Sequence, residues 1–132
     1  MFTKCLIVGV GGFVGANARY LLGNWAKDRW GSDFPYGTFL INITGCFVIG
    51  VFSTLLLRYA WNDTWRLLIA VGFVGAYTTF STFEYESLNL IAQGAWGKAL
   101  FNLLGSVILG FFAAYLGVML FRLLFGNAPT PH

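Results

Sequence analysis

The sequence predicts an all-α integral membrane protein with four transmembrane helices, the third of them broken. Three observations carry this prediction. Hydrophobic types make up 58% of the chain and charged types 10%, against about 25% charged in an ordinary soluble domain. Such a chain has too few charges to clothe a water-facing surface, so its solvent is the lipid bilayer. The 132 residues then leave room, with short connections, for four segments of the roughly 20 apolar residues a spanning helix needs. Finally, the third segment carries the stretch GAYTTFSTF at 75–83, where glycine and clustered hydroxyls weaken a helix.

The elements follow in order, as one four-span membrane domain over 1–132. Span one covers residues 6–22 and holds Gly9, Gly11, Gly12 and Gly15. Gly11 and Gly15 form a G-x-x-x-G pair that lets a second backbone approach closely. An apolar run closed by Ala16-Asn17-Ala18 also fits a cleavable signal peptide, but four glycines make a poor signal core. Residues 23–36, GNWAKDRWGSDFPY, read as an interfacial loop. Span two covers 37–57, and the charged, aromatic RYAWNDTWR (58–66) follows it. Span three covers 67–92, QGAWGK (93–98) turns the chain, and span four covers 99–121. The tail GNAPTPH is expected to fray.

Counting basic residues by side gives Lys4, Arg58, Arg66 and Arg122 on one side of the membrane. Lys27, Arg29 and Lys98 lie on the other, with Arg19 towards it. Orientation normally follows an excess of Lys and Arg in cytoplasmic loops, and here there is almost none. Insertion in both orientations is the physical expectation. Two opposed copies could pair about an axis in the membrane plane, as a dual-topology antiparallel homodimer. A single orientation decided by one charge is the alternative. The net charge of +3 is scattered and follows no phosphate backbone, so no nucleic-acid partner is expected. Cys5 and Cys46 sit in apolar segments with no CxxC spacing, and the only histidine is His132. The parts of a disulfide scaffold, a zinc site or a Cys/His pair are missing, and two buried apolar thiols are expected.

Polar groups inside a bilayer are costly and point to function by default. Thr38, Asn42 and Gly45 share one face of span two, and Asn102 and Ser106 share one face of span four. Each group also fits plain helix–helix hydrogen bonding. In span three a break is expected near 75–79, among Gly75, Thr78, Thr79, Ser81 and Thr82. It would free backbone carbonyls that must bond an ion, water or back-bonding hydroxyls. Phe80 and Phe83 face the same way, and a ring's positive edge can meet an anion. Amide, hydroxyls and ring edges are donors without full charge, the balance that a pore needs. Glu86 is a candidate for gating a vestibule, or an interfacial carboxylate.

On GTFLINITG (37–45) and GFVGAYTTFSTFEYE (72–86), with Arg19 as support, the chain resembles the Fluc/CrcB fluoride channels along nearly its whole length. The resemblance implies a dual-topology homodimer of four-span subunits in the cytoplasmic (inner) membrane, which exports fluoride passively and lowers its cellular level. It implies that Phe80 and Phe83 line the fluoride path by their ring edges, that Asn42 is the pore asparagine, and that Thr38 adjoins an aqueous vestibule. Gly75 and Thr78 would offer the carbonyls, two from each chain, that cage a structural sodium ion (Na+) at the dimer interface. Ser106 matches a pore hydroxyl, while Asn102 occupies a variable position. Thr79, Ser81 and Thr82 would complete the pathway wall, and Arg19 and Glu86 its vestibule. Some members continue the fourth-span track with hydroxyls where Gly110 and Ala114 stand here, a departure that leaves the outer part of the track open.

Three other functions compete. A small dual-topology multidrug exporter needs a carboxylate deep in a span, and no span here has one near its middle. A non-transport helper subunit would need no broken helix. An enzyme would need a nucleophile–base set or a metal site, and the sequence offers no plausible one.

Overall fold

The computed structural model describes residues 1–59 and 62–126, without the side chains of 58 and 59. The tail expected to fray lies outside the described residues apart from Gly126. Among the described residues six α-helices occur in chain order: α1 (Phe2–Trp30), α2 (Tyr36–Tyr59), α3 (Asp63–Trp65), α4 (Gly75–Tyr77), α5 (Phe80–Ala92) and α6 (Trp96–Phe125). A π-helical stretch, Arg66–Val74, joins α3 to α4. Among the described residues four helical units are long and apolar enough to cross a membrane: Phe2–Trp30, Tyr36–Leu57, Asp63–Ala92 and Trp96–Phe125.

The helices outrun the apolar spans at both ends. α1 continues through Asn24, Lys27 and Arg29 and stops only at Gly31, whose φ is 81°. That left-handed backbone carries no Cβ penalty in glycine. The first connection therefore shrinks to a few residues, and Phe34 in it packs with Leu90 and Ala99. Hydropathy marks the thickness of the lipid slab, whereas hydrogen bonding carries the helix on into the interface. Around this end Trp25 meets Trp30 edge-on at 5.1 Å, and Trp30 meets Tyr36 at 5.8 Å. Amphipathic rings of this kind favour the headgroup level.

Two polar ties fix which connections share a side. Lys4 Nζ donates to Asp63 Oδ2 at 2.7 Å, and Arg66 Nη2 to Asp63 Oδ1 at 2.8 Å. Lys98 Nζ donates to the Asp33 carbonyl at 3.0 Å. The N-terminus and second connection thus lie at one end, and the first and third connections at the other, as the charge count assumed.

Two pairings dominate: α2 against α6, and α1 against the π-helical stretch. The second rests on the G-x-x-x-G pair. A Cβ at Gly11 would overlap the Leu68 carbonyl oxygen, and one at Gly15 the Phe73 carbonyl oxygen. The two backbones lie against each other with no side chain between. The third span is held there, and its wider winding gives way at Gly75 to the short α4, which leads into the break.

Candidate functional site

The break falls at Thr78 and Thr79. Thr78 has φ −78° and ψ 156°, and Thr79 has φ −150° and ψ 117°. Two extended residues therefore separate α4 from α5 inside the third span. Irregular backbone at membrane depth is tolerated only where protein or a cavity satisfies it. Here Asn42 of α2 does so. Its Nδ2 donates to the Thr79 carbonyl at 3.0 Å, and its Oδ1 accepts from the Thr79 N–H at 2.9 Å. The side-chain amide behaves as a neighbouring peptide group would.

Thr79 also caps α5. Its Oγ1 accepts from the Thr82 N–H at 3.4 Å and donates to Thr82 Oγ1 at 3.0 Å. On α2, Thr44 Oγ1 and the Tyr77 hydroxyl lie 2.8 Å apart, and Tyr77 stacks on Phe73 at 5.6 Å. These bonds redirect two helical donors. In an unbroken helix Thr79 N–H would reach the Gly75 carbonyl, and Thr82 N–H the Thr78 carbonyl. Instead they reach Asn42 and the Thr79 hydroxyl, so Gly75 and Thr78 are among the carbonyls that the break deprives of their i+4 donors. Thr79→Val keeps the shape and removes the cap. It should lower stability by about 1 kcal/mol, read from detergent-titrated unfolding against the unchanged protein; an unshifted midpoint would discount the cap.

Beside the break lies a cavity of about 290 Å³ whose lining includes Asn42, Thr78, Thr79, Phe80, Phe83 and Ser106. Ile49, Val74 and Val107 add apolar wall. The two phenylalanine rings are 5.8 Å apart and tilted by 43°. Phe83 is 5% exposed, but Phe80 is 74% exposed on the outer face. Gly75, Ser81 and Thr82 are exposed as well.

A second cavity of about 380 Å³ opens between the first connection and α5, lined in part by Lys27, Ser32, Thr38, Glu86, Asn89 and Gln93. Thr38 and Glu86 both line it, and Glu86 Oε2 is buried without a hydrogen-bond partner among the described residues. Thr38, buried itself, thus lines this second cavity with Glu86 rather than joining Asn42 at the break.

The structure separates some residues that spacing had grouped. Asn102 is 0% exposed and lines neither cavity. Its Nδ2 donates to Ser87 Oγ at 2.9 Å, so it ties α6 to α5 behind the cavity wall. Ser106 alone of that pair reaches the cavity. Ser81 and Thr82 lie on the exposed face, and Arg19 on α1 lines neither cavity. The expectation of two buried thiols is corrected. Cys5 is exposed in the first turns of α1, and Cys46 is half-buried on the cavity wall. Cys46 follows Asn42 by four residues and so shares its face, the signal that marks it as a wall residue. Ser87 is a further polar residue that the pattern of span faces does not single out. It stands four residues after Phe83 and donates to that carbonyl at 2.8 Å, so its spacing was the available sign.

The family described as "CrcB-like protein, Camphor Resistance (CrcB)" matches residues 6–118. The chain is 50% identical over 117 residues to the fluoride-specific ion channel FluC of Acidobacterium capsulatum, covering 88% of this chain and 94% of the other. It is 46% identical over 120 residues to the same-named protein of Solibacter usitatus, covering 90% and 98%. With that of Chloroflexus aurantiacus the identity is 43% over 121 residues, covering 91% and 96%.

Proposed function

We propose, on the premise that this chain belongs to the CrcB family, that it is a fluoride-specific ion channel of the bacterial inner membrane. It is a multi-pass protein, with four helices able to span. The observation that carries the reading is the cavity at the break. There an asparagine amide, threonine and serine hydroxyls and two phenylalanine rings converge without any full charge. Fluoride holds its water tightly, and an unpaired ion in hydrocarbon costs tens of kcal/mol in the Born picture. Thr78 spends its hydroxyl hydrogen on the Val74 carbonyl, Thr79 on Thr82 and Ser106 on Asn102. The free partial-positive groups are the second Asn42 amide hydrogen and the ring edges, which replace that water while leaving the ion free to depart. Conduction is passive and runs down the gradient, so it lowers cellular fluoride.

The working unit in this proposal is an antiparallel homodimer. In the single chain Ser81 and Thr82 lie on a face that would otherwise meet lipid, which is costly for hydroxyls. A second copy would cover it. The carbonyls of Gly75 and Thr78, deprived of their helical donors, suit a hard monovalent cation bound by oxygen. Sodium shared between two copies would satisfy them.

Vesicles loaded with potassium fluoride, with valinomycin for charge balance, test the channel. Rapid fluoride release without chloride release from chloride-loaded vesicles is expected. Phe80→Ile keeps bulk but removes the ring edge, and should slow release by about tenfold or more, equivalent to one lost contact of ~1.4 kcal/mol. A Phe80→Ile protein as fast as the unchanged one would remove the ring edge from the mechanism. No release by folded protein would end the channel reading.

A further inference from the structure

Behind the cavity wall runs a chain of hydrogen bonds whose direction is fixed at one end. The Phe83 carbonyl can only accept. Ser87 Oγ donates to it at 2.8 Å, which uses the single hydrogen of that hydroxyl. Ser87 can then only accept from Asn102, so Asn102 must turn Nδ2 towards it, at 2.9 Å. That orientation leaves Asn102 Oδ1 facing Ser106, which donates to it at 3.4 Å. The direction set by a backbone carbonyl on α5 thus reaches a hydroxyl that lines the cavity on α6.

The consequence concerns the sign of what Ser106 presents. With its hydrogen held by Asn102, the hydroxyl shows lone pairs to the cavity, and lone pairs repel an anion. To donate to fluoride, Ser106 must swing its hydrogen off Oδ1. The last bond is the longest of the three, so the chain is weakest where the anion competes for it. Asn102 is fully buried and touches no cavity space, so it acts through Ser106 alone.

We propose that Ser87 and Asn102 are positioning residues that hold the Ser106 hydrogen away from the cavity and so keep fluoride binding there weak. The proposal rests on the channel reading above and adds a specificity device to it. A weak site releases its ion, which rapid conduction requires.

Ser87→Ala is the discriminating variant. It removes one buried hydroxyl that lines neither cavity. The Asn102 amide then has no reason to keep Nδ2 towards α5. It turns that group to Ser106 and frees the Ser106 hydrogen for fluoride. Asn102→Leu removes the acceptor outright and should act in the same direction. In the vesicle assay the fluoride concentration for half-maximal flux should fall by about fivefold, the factor carried by one ordinary neutral hydrogen bond. In a Ser106→Ala background Ser87→Ala should produce no shift. An equal shift in both backgrounds would show that Ser87 acts by packing and would overturn the proposal. Unshifted half-saturation in Ser87→Ala, with the unchanged protein conducting, would overturn the relay alone. No conduction by the unchanged protein would remove the channel reading and the relay with it.

Discussion

Vesicles carrying Asn42→Ala should release fluoride at least about a hundredfold more slowly than those carrying the unchanged protein, a loss equivalent to ~3 kcal/mol. Two effects add. Alanine leaves both the N–H and the C=O of Thr79 without the partners they have in Asn42. The N–H left unpaired costs about 1–3 kcal/mol; the carbonyl loses less, because an N-cap carbonyl also accepts the first bond of its helix. The extended pair at Thr78 and Thr79 thus loses its support. The second effect is direct. Nδ2 carries two hydrogens and uses one on Thr79, leaving the other for an anion in the cavity that Asn42 lines. Asn42→Asp separates them in part. A carboxylate can still accept from the Thr79 N–H, but it donates nothing to the carbonyl and adds negative charge to an anion path. It should be at least as slow as alanine. Release within about twofold of normal in both variants, a difference under ~0.5 kcal/mol, would mean that the amide is dispensable.

How much of this was legible beforehand depends on whether a feature is local. The membrane class and the number of spans follow from composition and length, because lipid imposes one constraint on every residue of a span. The break was legible for a similar reason. Gly75, Thr78 and Thr79 weaken the helix where they stand, and the extended pair occurs at the end of the expected stretch. Helix ends were less legible. Lys27 and Arg29 mark the edge of the lipid, yet the backbone ladder runs past them to Trp30.

Partners across helices were not legible at all. Spacing put Asn102 and Ser106 on one face, which they do share, but could not say how deep that face lies. The structure places Ser106 at the cavity and Asn102 one turn further back, bonded to Ser87. Likewise spacing offered Asn42 as a donor to an ion, whereas its first duty is to the backbone of a residue 37 positions away. A polar residue in a span has to satisfy its own hydrogen bonds before it serves a ligand. Asn42 does both because its amide has a hydrogen to spare. Asn102 meets Ser87 on one side and Ser106 on the other, and so reaches the cavity only through Ser106.

Gly15→Ala should destabilise the fold, and Gly9→Ala should not. Both glycines lie in α1, and on helix propensity alone either substitution favours the folded state by about 1 kcal/mol. The surroundings differ. A Cβ at Gly9 would meet nothing within 4 Å, whereas one at Gly15 would overlap the carbonyl of Phe73 and press on its Cα at 3.1 Å. Those atoms are backbone, so no side chain can swing aside. Either α1 or the third span must move, and the third span leads into the break through Val74 and Gly75. Overpacking a close contact costs about 1–3 kcal/mol, enough to outweigh the gain in propensity. The expected order of stability in detergent-titrated unfolding is Gly9→Ala at or above the unchanged protein, and Gly15→Ala below it. Because the strain is passed to the third span, Gly15→Ala should also slow fluoride release while Gly9→Ala leaves it intact. If both substitutions raise stability alike, helix propensity alone governs α1, and the backbone contact between it and the π-helical stretch does not hold the break in place.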